Sequence, residues 1–322
     1  MSTYRLTLEY DGTRFNGWQA QRSGRTVENT LRDAIRSLTG ESPRTVAAGR
    51  TDAGAHAHGQ VVGFTLASDW EPDRLRAALN AHLPDDAVVV CAALVDPQFH
   101  ARHHAQRRTY RYLVLTRDQR AAVTRNHAWI VRGPLDVNAM RGAARHLIGT
   151  HDFGAFGRAP WSSGTTVRTV HEASVDPVSV RAAGVTRVEG ACLTVTADAF
   201  LRGMMRAFAG ALVSVGRGAM PAAELRALIA RETPDAPRLT IAPAHGLHQW
   251  SVSYGDQDGG SCGAEAHRAP ALGVAVETRW VSRLALGEPC ANAIGPARLR
   301  DDPCAQARSG SAQFDSALEI AA

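Results

Sequence analysis

Apolar and polar residues alternate with period two over residues 4–10 (YRLTLEY), which predicts a half-buried strand. The spacing then turns helical: Val27, Leu31, Ile35 and Leu38 recur on one face, with Thr26 placed to cap the helix and Gly40 to stop it. A second strand is expected at 60–66 (QVVGFTL), a helix at 71–83 and a buried strand at 87–95 (AVVVCAALV). The first hundred residues therefore run β-α-β-α-β. The pattern restarts with a strand at 108–116, a helix at 136–149 ended by Gly149, and strands at 167–175 and 191–200. A long helix at 201–216 follows, then one at 221–231 with Pro221 in its first turn, and a closing strand at 248–254. This is an α+β pattern of two halves, 1–104 and 105–255, each a sheet with helices on one side. From 256 to 322 the chain is rich in Ala, Gly, Pro and Asp and weakly periodic. That stretch is expected to be a largely disordered extension with one short element near 272–286.

Composition narrows the class. A hydrophobic fraction of 44% and a charged fraction of 21% in 322 residues are those of a globular protein with a sizeable core. No apolar run approaches the ~20 residues of a membrane span. A strand begins almost at once where a secretion signal would need its apolar core, so a cytoplasmic protein is expected. Cysteines at 91, 192, 262, 290 and 304 form no C-x-x-C pair, which points to idle thiols and not to a disulfide framework or zinc site. All 36 basic residues are arginine, and the net charge is +5. Residues 256–322 hold six Arg against nine acids, leaving 30 Arg against 22 acids in 1–255. A basic body suggests a polyanionic partner.

The candidate chemistry centres on residues 47–60, AAGRTDAGAHAHGQ. Gly49 and Gly54 let the backbone turn tightly and approach a ligand around Asp52. Arg50 is a nearby cation, which favours the carboxylate form and suits a nucleophile. An Asx-turn uses the same residue types, so the motif alone leaves both roles open. The basic run 100–111 (HARHHAQRRTYR), with Arg102 and Arg108, is a candidate phosphate track, to which Arg14, Arg22 and Arg25 add. Alternation puts Arg108, Tyr110 and Tyr112 on one strand face, a mixture that suits RNA. His56 is a candidate wall of the site, with His58 expected on the opposite side. Phe153, Phe156, Met204, Met205 and Phe208 are expected mostly in the core.

Several motifs in order extend the Asp52 segment: YDGTRFNGWQ, VENTL, AGRTDAG.H..GQV..F, ALNAHLPDD, FHAR, RTYRY, HDFGAF, FLRGMMR and APAHGLHQWSVSY. Together they resemble the TruA family of tRNA pseudouridine synthases over residues 4–254. The resemblance implies that Asp52 is the catalytic aspartate, that Tyr110 lies against the target base, that Arg206 pairs with Asp52, and that Arg50 helps extrude the nucleotide. It also implies one central, largely antiparallel sheet with a cleft between the halves, no cofactor, and a homodimer gripping the anticodon arm of tRNA at positions 38 to 40. Arg202-Gly203 stands where the family often has histidines, and His248 where an aromatic is common. Two other classes compete: an RNA-binding protein without the chemistry, and an aspartate-dependent hydrolase. The second needs another carboxylate, for which Asp11 and Asp152 are available.

Overall fold

The computed structural model describes residues 1–159, 164–182, 186–231 and 239–255. The extension from 256 and its expected short element lie outside the described residues. The first half contains β1 (Ser2–Tyr10), α1 (Val27–Thr39), β2 (Val46–Ala47), β3 (His56–Leu66), α2 (Pro72–His82) and β4 (Ala87–Val95). The second contains β5 (Arg107–Thr116), β6 (Trp129–Val131), α3 (Val137–Ala144), β7 (Gly149–Asp152), β8 (Val167–Ala182), β9 (Thr186–Ala197), α4 (Met204–Gly216), α5 (Ala222–Ala230) and β10 (Leu247–Ser253).

All ten strands join in one sheet, in the order β4-β1-β3-β10-β5-β9-β8-β7, with β2 beside β3 and β6 beside β5. Pairing is antiparallel except at β10–β3 and β5–β6. The last strand is therefore the seam. His248 and Gln249 pair with His56 and Ala57 on one side, and Leu247 to Ser253 pair with β5 on the other.

Each half buries the expected helical stripe. Leu31 and Ile35 of α1 and Leu75 and Leu79 of α2 close over Tyr4, Leu6, Leu8 and Phe64. The Thr26 hydroxyl accepts from Asn29 N–H, and Gly40 ends α1 at φ 75°. In the second half Phe153, Phe156 and Phe208 meet edge to face, with centroids 5.1–6.1 Å apart, and all three are buried as expected.

Four expectations need correction. β4 is an edge strand with only one face covered, so Val88, Val90 and Leu94 are exposed where a fully buried strand was expected. α4 begins at Met204, because Gly203 is left-handed and the Arg202 backbone bridges to Arg158. α3 ends at Ala144, where Arg145–Leu147 tightens into a 3-10 turn, and Gly149 opens β7. Cys192 is free, whereas Cys91 is disulfide-bonded, so the expectation of idle thiols fails there. No helix among the described residues is long and apolar enough to cross a membrane.

Candidate active site

Asp52 lies on the loop between β2 and β3. Gly54, at φ 80°, turns that loop back so that its N–H reaches the Phe15 carbonyl. Gly49 is needed for closeness: a Cβ there would stand 3.1 Å from the Tyr110 hydroxyl. Trp18 N–H donates to the Thr51 carbonyl at 3.1 Å, and the Tyr10 and Thr51 hydroxyls share a hydrogen bond of 2.8 Å. The loop is thus fixed to the core on both sides of Arg50.

The Asp52 carboxylate is not spent on a turn. Its Oδ2 accepts from Arg206 Nη1 at 2.8 Å, across 154 residues of chain. Arg206 Nε donates at 2.7 Å to the Ala242 carbonyl, which sets the guanidinium plane. Met204 starts α4 and so delivers Arg206 from its first turn. The Asp52 side chain remains 32% exposed, open to a ligand from the cavity side.

That cavity has a volume of 1110 Å³. Its wall takes in the Asp52 loop, the 100–110 segment and the turn before α4. Eight arginines line it against two acids, Asp52 and Glu28. Glu28 is held by Ala20 N–H and the Thr45 hydroxyl. The balance favours a polyanion.

Among the expected residues, Asp52, Arg50, Arg102, Arg108, Tyr110 and Arg206 all line this cavity. Arg50 is exposed and makes no hydrogen bond or ion pair among the described residues, so it is available to a ligand. Tyr110 is buried, only 6% exposed, and packs edge-on against Phe200 at 4.7 Å. Burial, reinforced by Asp52 and opposed by Arg108, pushes its hydroxyl up to about 12, so it stays protonated at neutral pH. Arg108 differs from expectation. Its guanidinium is buried and donates to the carbonyls of Ala48, Arg102, Ala105 and Asp198. It clamps the Asp52 loop, the basic turn and the end of β9, and has little left for phosphate. Tyr112 is likewise core, with its hydroxyl on the Pro243 carbonyl. Arg25 is held by Asp86 at 2.5 Å and stacks on Phe15.

His56 does not line the cavity. It is buried in a column of rings. His127 stacks on His56 at 4.6 Å, His56 on His248 at 4.8 Å, His248 on His58 at 5.4 Å and His58 on Trp250 at 4.7 Å, with Arg111 over Trp250 at 3.7 Å. His58 thus shares a face with His56, as residues two apart in a strand do. His248 belongs to this column and not to the site. Asp11, His56 and His127 bring ligand atoms within 4.8 Å of one another. However, the Gly12 N–H already donates to His56 Nδ1 at 3.1 Å and Nε2 faces the Asn126 carbonyl, so both ring nitrogens of His56 are engaged and the trio is no ready metal site. Asp11 and Asp152 are turn residues, bonded to Thr13 and to Gly154 and Thr166, and neither lines the cavity.

The sequence did not single out Arg158. Paired backbone bonds of 3.0 and 3.3 Å between Arg158 and Arg202 place two exposed cations on the cavity wall. They are 44 positions apart and outside the named strands, so no periodicity marks them. The one signal was the position of Arg158 directly after HDFGAFG.

An aspartate paired with an arginine and a buried tyrosine thus share one arginine-lined cavity on an α+β scaffold. The family described as tRNA pseudouridine synthase matches residues 7–104 and 143–255, and the chain belongs to that family. Relatives named tRNA pseudouridine synthase A include one from Shouchella clausii, 40% identical over 79% of this chain and 94% of its own length. One from Agrobacterium fabrum is 40% identical over 80% and 94%, and one from a Methylobacterium species 41% over 79% and 98%.

Proposed function

We propose that this enzyme converts uridine to pseudouridine in tRNA with Asp52 as its nucleophile. The observation that carries the reading is the Asp52–Arg206 ion pair in the lining of an arginine-lined cavity. The reaction breaks the N1–C1′ bond, turns the uracil and joins C5 to C1′. The proton on C5 leaves and N1 takes one up, so the change is an isomerisation without redox chemistry. Asp52 attacks C1′ or C6, or removes the C2′ proton to form a glycal; each route uses the same carboxylate.

A base inside an RNA stack cannot reach that carboxylate, so the nucleotide leaves its stack. Arg50, exposed in the lining of the cavity, fills the vacated space or holds the phosphate. The Tyr110 ring receives the base, and such stacking contributes ~1–3 kcal/mol. Arg102, Arg158 and Arg202 track the backbone charge. The hydrolase reading loses ground because neither acid proposed as a partner reaches the cavity. Family resemblance supports uridines 38 to 40 of the anticodon arm as targets, two copies per tRNA and a cytoplasmic setting. Sedimentation of the free protein tests the dimer.

Tritium release from transcripts carrying [5-³H]uridine tests the chemistry. Asp52→Asn is expected to lose about 10³-fold or more in rate while still binding tRNA. Wild-type protein that binds tRNA but releases no tritium would leave the RNA-binding class in its place.

A further inference from the structure

Beneath the catalytic loop lies a polar pair that the chemistry above does not use. Gln60 of β3 and Gln249 of β10 are both fully buried. Gln60 Nε2 donates to the Gly49 carbonyl at 2.8 Å, and its Oε1 accepts from Gln249 Nε2 at 3.1 Å. The amide orientations follow from this chain, since a carbonyl only accepts. The Tyr10 hydroxyl, which bonds Thr51, also reaches Gln60. Gln249 Oε1 has no hydrogen-bond partner among the described residues.

A strand that continues as Val61-Val62 would pack at least as well with an apolar residue at position 60, so a buried amide with an incompletely satisfied partner needs another reason. Gly49 supplies it. That residue has no side chain to hold its own peptide, because the Tyr110 hydroxyl takes the space. The neighbouring Ala48 carbonyl is held by Arg108 and the Thr51 carbonyl by Trp18. Gln60 holds the Gly49 carbonyl between them, on the approach to Arg50 and Asp52.

We propose that Gln60 is a positioning residue for the isomerisation: braced by Gln249, its buried amide fixes the Gly49 peptide and thereby aims Arg50 into the cavity and Asp52 at Arg206. This rests on Asp52 being the nucleophile. Gln249 lies on the seam strand, so the brace also ties the catalytic loop to the second half of the sheet.

The test uses the full chain with Gln60→Leu, Gln60→Glu, Gln249→Leu and Asp52→Asn. Each is assayed for single-turnover tritium release, tRNA affinity and thermal midpoint. Gln60→Leu keeps the volume and removes the hydrogen bonds; it is expected to bind tRNA within about threefold of wild type and to react about tenfold or more slowly. Gln249→Leu moves the same way by less. Gln60→Glu supplies the readout a purely structural role would not move. Protonated, its carboxyl donates to the Gly49 carbonyl; ionised, it faces that carbonyl as a second acceptor. Its rate relative to wild type therefore falls as pH rises.

A folded Gln60→Leu reacting within about twofold of wild type overturns the proposal. So does a rate loss matched by lost tRNA binding or lost fold, or a pH-independent ratio for Gln60→Glu. If Gln60→Leu does not fold, the Glu ratio decides. Asp52→Asn separates the two readings: full activity there defeats the nucleophile itself, whereas an inactive Asp52→Asn beside an unaffected Gln60→Leu defeats only the brace.

Discussion

At the scale of single residues, the guanidinium of Arg206 does two things at once: Nη1 holds Asp52 and Nε holds the Ala242 carbonyl. Lysine carries the same charge but lacks the planar fork. Arg206→Lys is therefore expected to lower the single-turnover rate by about 10- to 100-fold while leaving tRNA affinity close to wild type. An unchanged rate would mean that charge alone suffices at this position. The pair also marks a limit of reading from sequence. Asp52 was visible as chemistry because small residues and a cation surround it, although the motif alone left both turn and nucleophile open. Arg206 sits in an apolar helix 154 positions away, and only family resemblance joined the two. Arg108 was misjudged for a physical reason: alternation gives the face of a side chain, but not whether carbonyls already consume its donors. Gln60 was legible only as a polar residue at the start of an apolar run.

At the scale of elements, the ring column across β3 and β10 gives the fold a dependence on acidity. Burial, with neighbouring imidazoles adding to it, holds His56 below its ordinary value of 6.5 and His248 well below it. Asp11 and the Asn126 carbonyl offset this in part for His56, and the His127 carbonyl for His248. Both imidazoles therefore take up their proton at lower pH in the folded state than in the unfolded chain, which does so as pH drops through 6.5. Stability is then unaffected by these groups above that pH and falls below it. Urea midpoints measured across this range are expected to decline on the acid side, and His248→Phe to flatten the decline. Equal slopes for the two proteins would remove His248 as a cause. The elements themselves were mostly legible. α1, α2, β1 and β5 follow from spacing and caps, because their periodicity runs for two turns or several alternations. β2, β6 and β7, of two to four residues, are too short to show a period. The edge position of β4 depends on a neighbour that local pattern does not specify.

At the scale of the whole molecule, one sheet carries both halves, and the cavity draws its wall from each. The family match ends at residue 255, as does the described fold. A chain stopped after Gly255 is expected to react with tRNA within about twofold of the full chain, and one stopped before Leu247 not at all. Tritium release from both checks this, and activity in the shorter chain would show that β10 is dispensable. The order of the strands, β3-β10-β5, carries a consequence for biosynthesis. A nascent chain is made from its N-terminus, yet the strand that joins β3 to β5 is the last of the ten to appear. At ~5–20 residues per second, β3 waits ~10 seconds or longer for its partner. Until then the stretches of β3 and β5 that β10 pairs with stand open, an invitation to pair with other chains. The cell meets this protein first as two unfinished half-sheets, and the one continuous sheet exists only once β10 has been made.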